Sequence, residues 1–216
     1  MNIPMQQRGG ISAAWVILGV TVLAYFVQMA NINEALRLFA LWPLATATDP
    51  SWAQYGVAFG PWQLVSYGFL HGGLAHLFFN MFALYMFGVP IERAWGTKRF
   101  LVFYFFCMIG AGVVQLTVAA LTGEVYPTIG ASGAVFGLLL AFGMMYPNNM
   151  IMLLIPPIPM KAKWFVIGYG VLTLIFGMTG AMPGIAHFAH LGGMLFGLVL
   201  ILYWGRQDFY RRHRGQ

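Results

Sequence analysis

The chain has 216 residues, of which 60% are hydrophobic and 17% aromatic, and only 7% are charged, against about 25% in an average soluble protein. That composition excludes a soluble globular domain, and it also excludes an intrinsically disordered chain, because disorder needs low hydrophobicity with high charge. The formal charge of +6 does not point to nucleic acid, since no soluble domain gathers the basic residues, and the single Cys107 excludes both an intramolecular disulfide and a cysteine-built zinc site.

Apolar runs bounded by turn and charge signals predict six membrane spans, in chain order 12–30, 67–90, 100–121, 131–146, 163–179 and 186–204. A bilayer core about 30 Å thick takes roughly 20 apolar residues per helix, so six spans with short loops fit the length. The first run reads as a retained helix and not as a signal peptide: Met1 to Gln7 carry no charge, and no clean small-residue cleavage site follows. The expected fold is an all-α integral membrane protein, one compact six-helix domain over 1–216.

Between the first two spans, 31–66 reads as neither a clean helix nor a polar loop. Trp42, Trp52, Tyr55, Phe59 and Trp62 stud it, while Pro43, Pro50 and Pro61 break regular helix, so it is expected to lie partly in the outer headgroup layer. A cytoplasmic N-terminus assigns Arg8, Arg93, Lys98, Arg99, Lys161, Lys163, Arg206, Arg211, Arg212 and Arg214 to the inside and Arg37 alone to the outside. The positive-inside rule demands that distribution of six spans with both ends inside. The basic tail 205–216, which holds His213, then anchors the last helix against anionic lipid headgroups.

All five acidic residues, Glu34, Asp49, Glu92, Glu124 and Asp208, fall in loops or at span ends. Aspartyl proteolysis needs paired carboxylates, and zinc proteolysis needs a general-base Glu beside its histidines, so both are disfavoured. Polar groups inside spans are functional candidates by default, and the candidates here are histidines, one asparagine and one serine. His71, His76 and Asn80 fall in the outer half of the second span, Ser132 opens the fourth, and His187 and His190 open the sixth. His76, Ser132 and His190 each precede the inner end of their span by 15 residues, which puts them about 22 Å above the inner face.

Gly133 with Gly137 and Gly193 with Gly197 form small-xxx-small stripes that let the fourth and sixth spans approach closely. Such packing would bring the Ser132 hydroxyl to the imidazole of His190, a pair able to carry out acyl transfer, with the histidine taking and returning the proton. No acid is available as a third member, so Phe136, one turn after Ser132, is expected to pack on the ring. His76, Asn80 and the Ser132 backbone N–H are the candidate oxyanion donors. A lone GxSG is a weak signal. Here it coincides in depth with two other polar motifs.

Taken in order, His71-Gly-Gly-Leu-Ala-His76-Leu-Phe-Phe-Asn80, Gly130-Ala131-Ser132-Gly133 and Ala189-His190-Leu191-Gly192-Gly193 closely resemble the rhomboid intramembrane serine proteases, in their minimal six-helix form. The resemblance implies Ser132 as nucleophile, His190 as general base and acid, and His76 and Asn80 as oxyanion donors, with Phe136, His71, Gly130, Gly133 and Gly193 supporting them. It implies a structural role for Glu92-Arg93 and Gly96, and it makes the fifth span and the loop 180–185 the gate and cap. Two positions depart from the family pattern. Phe136 stands where many members have Tyr, and Trp62-Gln63 stands where the family often has Trp-Arg.

The expected activity is endoproteolysis of transmembrane protein substrates, without cofactor or metal. The expected location is a bacterial inner (plasma) membrane, with the site opening to the extracytoplasmic side. The partners are those substrates and membrane lipids. Two rival readings are a non-catalytic rhomboid-like binder of unstable transmembrane helices and a histidine-lined channel or metal transporter.

Overall fold

The computed structural model describes residues 11–47, 54, 56–152, 157–182 and 184–214, and the side chains of 47 and 207–214 lie outside that description. Arg8, Asp49, Pro50, Trp52, Tyr55 and Pro183 therefore lie outside the described residues, as do the side chains of Asp208, Arg211, Arg212, His213 and Arg214.

Among the described residues, five helices are long and apolar enough to cross a membrane by length and composition. They are α1 (Ala13–Ala30), α3 (Leu74–Trp95), α4 (Thr97–Thr122), α6 (Ala162–Thr179) and the first part of α7 (His187–Arg214). Between α1 and α3 lies the short helix α2 (Ile32–Phe39), and α5 (Ser132–Met145) has 14 residues, about 21 Å. The chain is thus mostly helical and an integral membrane protein.

Helix α5 is apolar all round, and Gly133 through Leu139 are buried without interruption. A helix with no polar face belongs at the centre of a bundle. Around it close α4 and α7, and the fit is tight. A Cβ on Gly193 would stand 1.8 Å from the Gly133 carbonyl oxygen, and one on Gly137 would stand 2.4 Å from Cys107 Sγ. Phe100, Phe103, Tyr104, Cys107 and Met108 fill the core beneath this crossing.

At the opposite end from Ser132, the Glu92 carboxylate ties three helices. It accepts from the Ala13 and Ala14 N–H groups (2.8 and 3.0 Å), from the Ser12 hydroxyl (2.5 Å) and from the Thr97 hydroxyl (2.8 Å). The first N–H groups of a helix have no partner within it and favour negative charge, so this acid caps α1 from another helix.

Four expectations need correction. The second span was expected to start at 67, but Tyr67–Phe69 is a 3-10 turn, Leu70 is extended, and the helix starts at Leu74. Gln28 explains this: its amide accepts from the His71 N–H (3.0 Å) and donates to the His71 carbonyl (2.8 Å), taking both groups a helix would need. That helix also runs five residues past the expected end. A wide π turn at Leu84–Gly88 precedes Pro90, relaxing the ladder where proline brings no N–H.

The segment 31–66 contains α2, with the Asn31 side chain accepting from the Glu34 N–H and an Arg37–Glu34 ion pair on its surface. The Arg37 guanidinium holds the Glu34 carboxyl below its ordinary pKa. Of the aromatic residues expected at the headgroup layer, Trp62 is exposed, whereas Trp42 is buried with Ala40, Val57 and Leu70.

Finally, the structure is not purely helical, and the basic tail is not a separate segment. A two-stranded antiparallel hairpin, β1 (Met150–Met152) with β2 (Pro159–Lys161), pairs Ile151 with Met160 between α5 and α6. Helix α7 continues to Arg214, because the polar residues after Tyr203 include good helix formers.

Candidate active site

His190, one turn into α7, has its Nε2 2.7 Å from Ser132 Oγ at the first residue of α5. This contact exists because Gly133 and Gly193 let the two helix backbones touch. The ring of Phe136, one turn below Ser132, lies parallel to the His190 imidazole, with centroids 4.2 Å apart and planes 9° apart. Tyr169 of α6 also packs against Phe136, with ring centroids 5.5 Å apart.

His76 reaches the same place from α3. Its Nδ1 accepts a hydrogen bond from the Gly72 N–H at 3.2 Å. A neutral imidazole that accepts at Nδ1 carries its proton on Nε2, so that nitrogen is a donor. Nε2 lies against Gly130: a Cβ there would stand 2.9 Å from it, 2.8 Å from His76 Cε1 and 3.8 Å from Ser132 Oγ. Gly130 also has φ +119°, which side-chain-bearing residues rarely adopt. The turn before Ser132 is held from outside, since the Gly130 N–H donates to the Tyr67 carbonyl (2.9 Å) and Thr128 pairs with Leu41 through two backbone bonds.

Asn80 is buried one turn below His76, and its Nδ2 donates to the His76 carbonyl at 2.9 Å. One amide N–H is thereby committed to its own helix, and no described bond joins Asn80 to Ser132. His71 is buried edge-on to His76, with centroids 5.0 Å apart, and neither of its ring nitrogens has a described hydrogen-bond partner. His187 is buried too, with Nε2 3.2 Å from the Ala181 carbonyl. The structure therefore gathers Ser132, His190, Phe136, His76 and Gly130 closely, and it sets Asn80 and His71 behind His76.

Two side-chain amides lie inside spans beyond the polar residues expected there, Gln28 and Gln115. Both are buried; Gln28 grips His71, and Gln115 donates to the Tyr126 hydroxyl at 3.3 Å. Their signal was present, since an amide deep in an apolar run is as unexpected as a histidine. The missing arginine at Gln63 is replaced by an amide that is itself buried. Gln63 Oε1 accepts from the Trp42 N–H (3.1 Å), and its Nε2 donates to the Ala58 carbonyl (3.0 Å).

The Rhomboid domain family model matches residues 58–207. Rhomboid protease GluP of Bacillus subtilis (strain 168) is 34% identical over 198 residues, covering 88% of this chain and 34% of that protein. RHOMBOID-like protein 4 of Arabidopsis thaliana is 32% identical over 148 residues, 64% of this chain and 33% of the relative. Rhomboid protein 1, mitochondrial, of Saccharomyces cerevisiae (strain ATCC 204508 / S288c) is 29% identical over 154 residues, 70% and 44% respectively. The chain thus spans about a third to under half of these relatives' lengths. Since the match over 58–207 takes in all three helices that meet at Ser132, the chain belongs to the rhomboid family.

Proposed function

We propose that this chain is an intramembrane serine endopeptidase that cleaves transmembrane proteins in or near their membrane helices. The 2.7 Å contact between Ser132 Oγ and His190 Nε2, sunk in an apolar bundle, carries this reading. Ser132 Oγ attacks the scissile carbonyl carbon while its proton passes to His190 Nε2. His190 then gives that proton to the leaving amine, and the acyl-enzyme is hydrolysed by water through the same histidine. The tetrahedral oxyanion is held by the His76 Nε2–H, the Ser132 N–H at the open start of α5 and the second amide N–H of Asn80. Phe136 keeps the His190 ring in plane.

The proposed architecture is a single domain of six spans, with α5 as the short central one, both ends on the side of the basic loops, and the site opening to the other side. The bacterial plasma membrane is the compartment this reading assigns. A substrate helix must unwind to present its carbonyl, so helix-weakening Gly, Pro or polar residues are expected near the cut, and a small residue before it. The loop 180–185 and α6 form the cap and gate. A non-catalytic binder of unstable helices would not need a hydroxyl and an imidazole in hydrogen-bond contact.

The test is cleavage of a panel of single-span substrates by purified protein in detergent. Wild type is expected to cut, and Ser132→Ala and His190→Ala are each expected to lose the activity. Cleavage by Ser132→Ala at the wild-type rate overturns the proposal.

A further inference from the structure

The proposed mechanism does not use His187, yet His187 is buried at the junction of three elements. Its Nε2 lies 3.2 Å from the carbonyl of Ala181, so Nε2 carries the proton and donates. The ring also stands edge-on to Phe176 of α6 (5.8 Å) and nearly perpendicular to His190 (6.3 Å, 85°). On the α6 side there is no room for slippage: a Cβ on Gly177 would meet His187 Cβ at 3.3 Å and the Phe188 ring at 3.2 Å. Beside Ala181, Met182 has φ +58°, a left-handed conformation that is strained for a side-chain-bearing residue. Such a corner persists only when its surroundings hold it. Among the described residues, His187 alone hydrogen-bonds a backbone group of the 180–185 segment through its side chain.

We propose that His187 is a positioning residue: its hydrogen bond to Ala181 latches the outer end of α6 to the first turn of α7 beside His190, so that movement of α6 and the orientation of His190 are coupled. This rests on the protease reading above. A substrate helix entering beside α6 must strain or break the latch, and reclosure restores the His190 setting on Ser132. Gln offers an amide N–H at nearly the reach of Nε2, so His187→Gln is the conservative replacement. His187→Phe keeps the ring and removes the donor.

The test compares wild type, His187→Phe and His187→Gln as full-length protein in detergent. The readouts are amide hydrogen exchange of 180–186 and KM and kcat on a single-span substrate. Loss of one neutral hydrogen bond predicts exchange about fivefold faster in His187→Phe. It also predicts a lower KM, because entry is freer, and a lower kcat, because His190 is less fixed. His187→Gln is expected to return all three toward wild type. Unchanged exchange in His187→Phe overturns the latch, as does a fall in kcat at constant KM that Gln fails to rescue. Fluorophosphonate labelling of wild-type Ser132, run alongside, separates the two ideas. Without labelling the protease reading fails; with labelling, only the latch is at stake.

Discussion

The rings of Phe136 and His190 are stacked face to face, 4.2 Å apart and within 9° of parallel, and among the described residues no carboxylate bonds to the histidine. An aromatic plane fixes the tilt of an imidazole but not its rotation within that plane, which is left to the bond with Ser132. Such a contact is worth about 0.5–1.5 kcal/mol beyond simple burial. Phe136→Ala is therefore expected to lower kcat about tenfold with little change in KM, and Phe136→Tyr to stay near wild type. Steady-state kinetics on a single-span substrate check this.

Gly130 meets two constraints at once, a φ of +119° and a His76 ring within 2.9 Å of any Cβ. Gly130→Ala is expected to displace His76 and rearrange the turn before Ser132, cutting activity by at least about a hundredfold, the scale of losing one oxyanion donor. Activity within threefold of wild type contradicts this placement of His76.

The Gln63 amide holds the first loop by opposite ends. Gln63→Ala removes the acceptor facing the Trp42 N–H and the donor facing the Ala58 carbonyl, with an expected loss of about 1–3 kcal/mol. Thermal unfolding in detergent measures it.

Where α5 and α7 touch, Gly193→Ala drives a methyl to 1.8 Å from the Gly133 carbonyl oxygen. The helices must part, which costs about 3 kcal/mol and separates Ser132 from His190. A lowered unfolding temperature together with lost cleavage is the expected pair. Gly205→Ala, where a Cβ meets nothing within 4 Å, is the matched control.

Hydropathy located the apolar helices well because it reports transfer out of water, and α1, α4, α5 and α6 begin or end within three residues of expectation. It missed the start of α3 because a distant side chain, Gln28, removes the backbone partners of His71, and no apolar pattern encodes that. Helix α2 was legible in Asn31-x-x-Glu34, a cap followed three residues later by an acid, although prolines break regular helix in the segment that follows it. The glycine stripes foretold which helices would meet. The bond His187 makes to Ala181 was not legible, since it depends on where a loop carbonyl points.

The most direct measurement of the central claim is covalent labelling of the purified protein with a fluorophosphonate, with the adduct mapped by mass spectrometry. An activated serine displaces fluoride and keeps the phosphonyl group on its oxygen, so the account predicts one adduct, on Ser132, that disappears in His190→Ala. An adduct on another residue, or labelling of Ser132 that does not depend on His190, contradicts it.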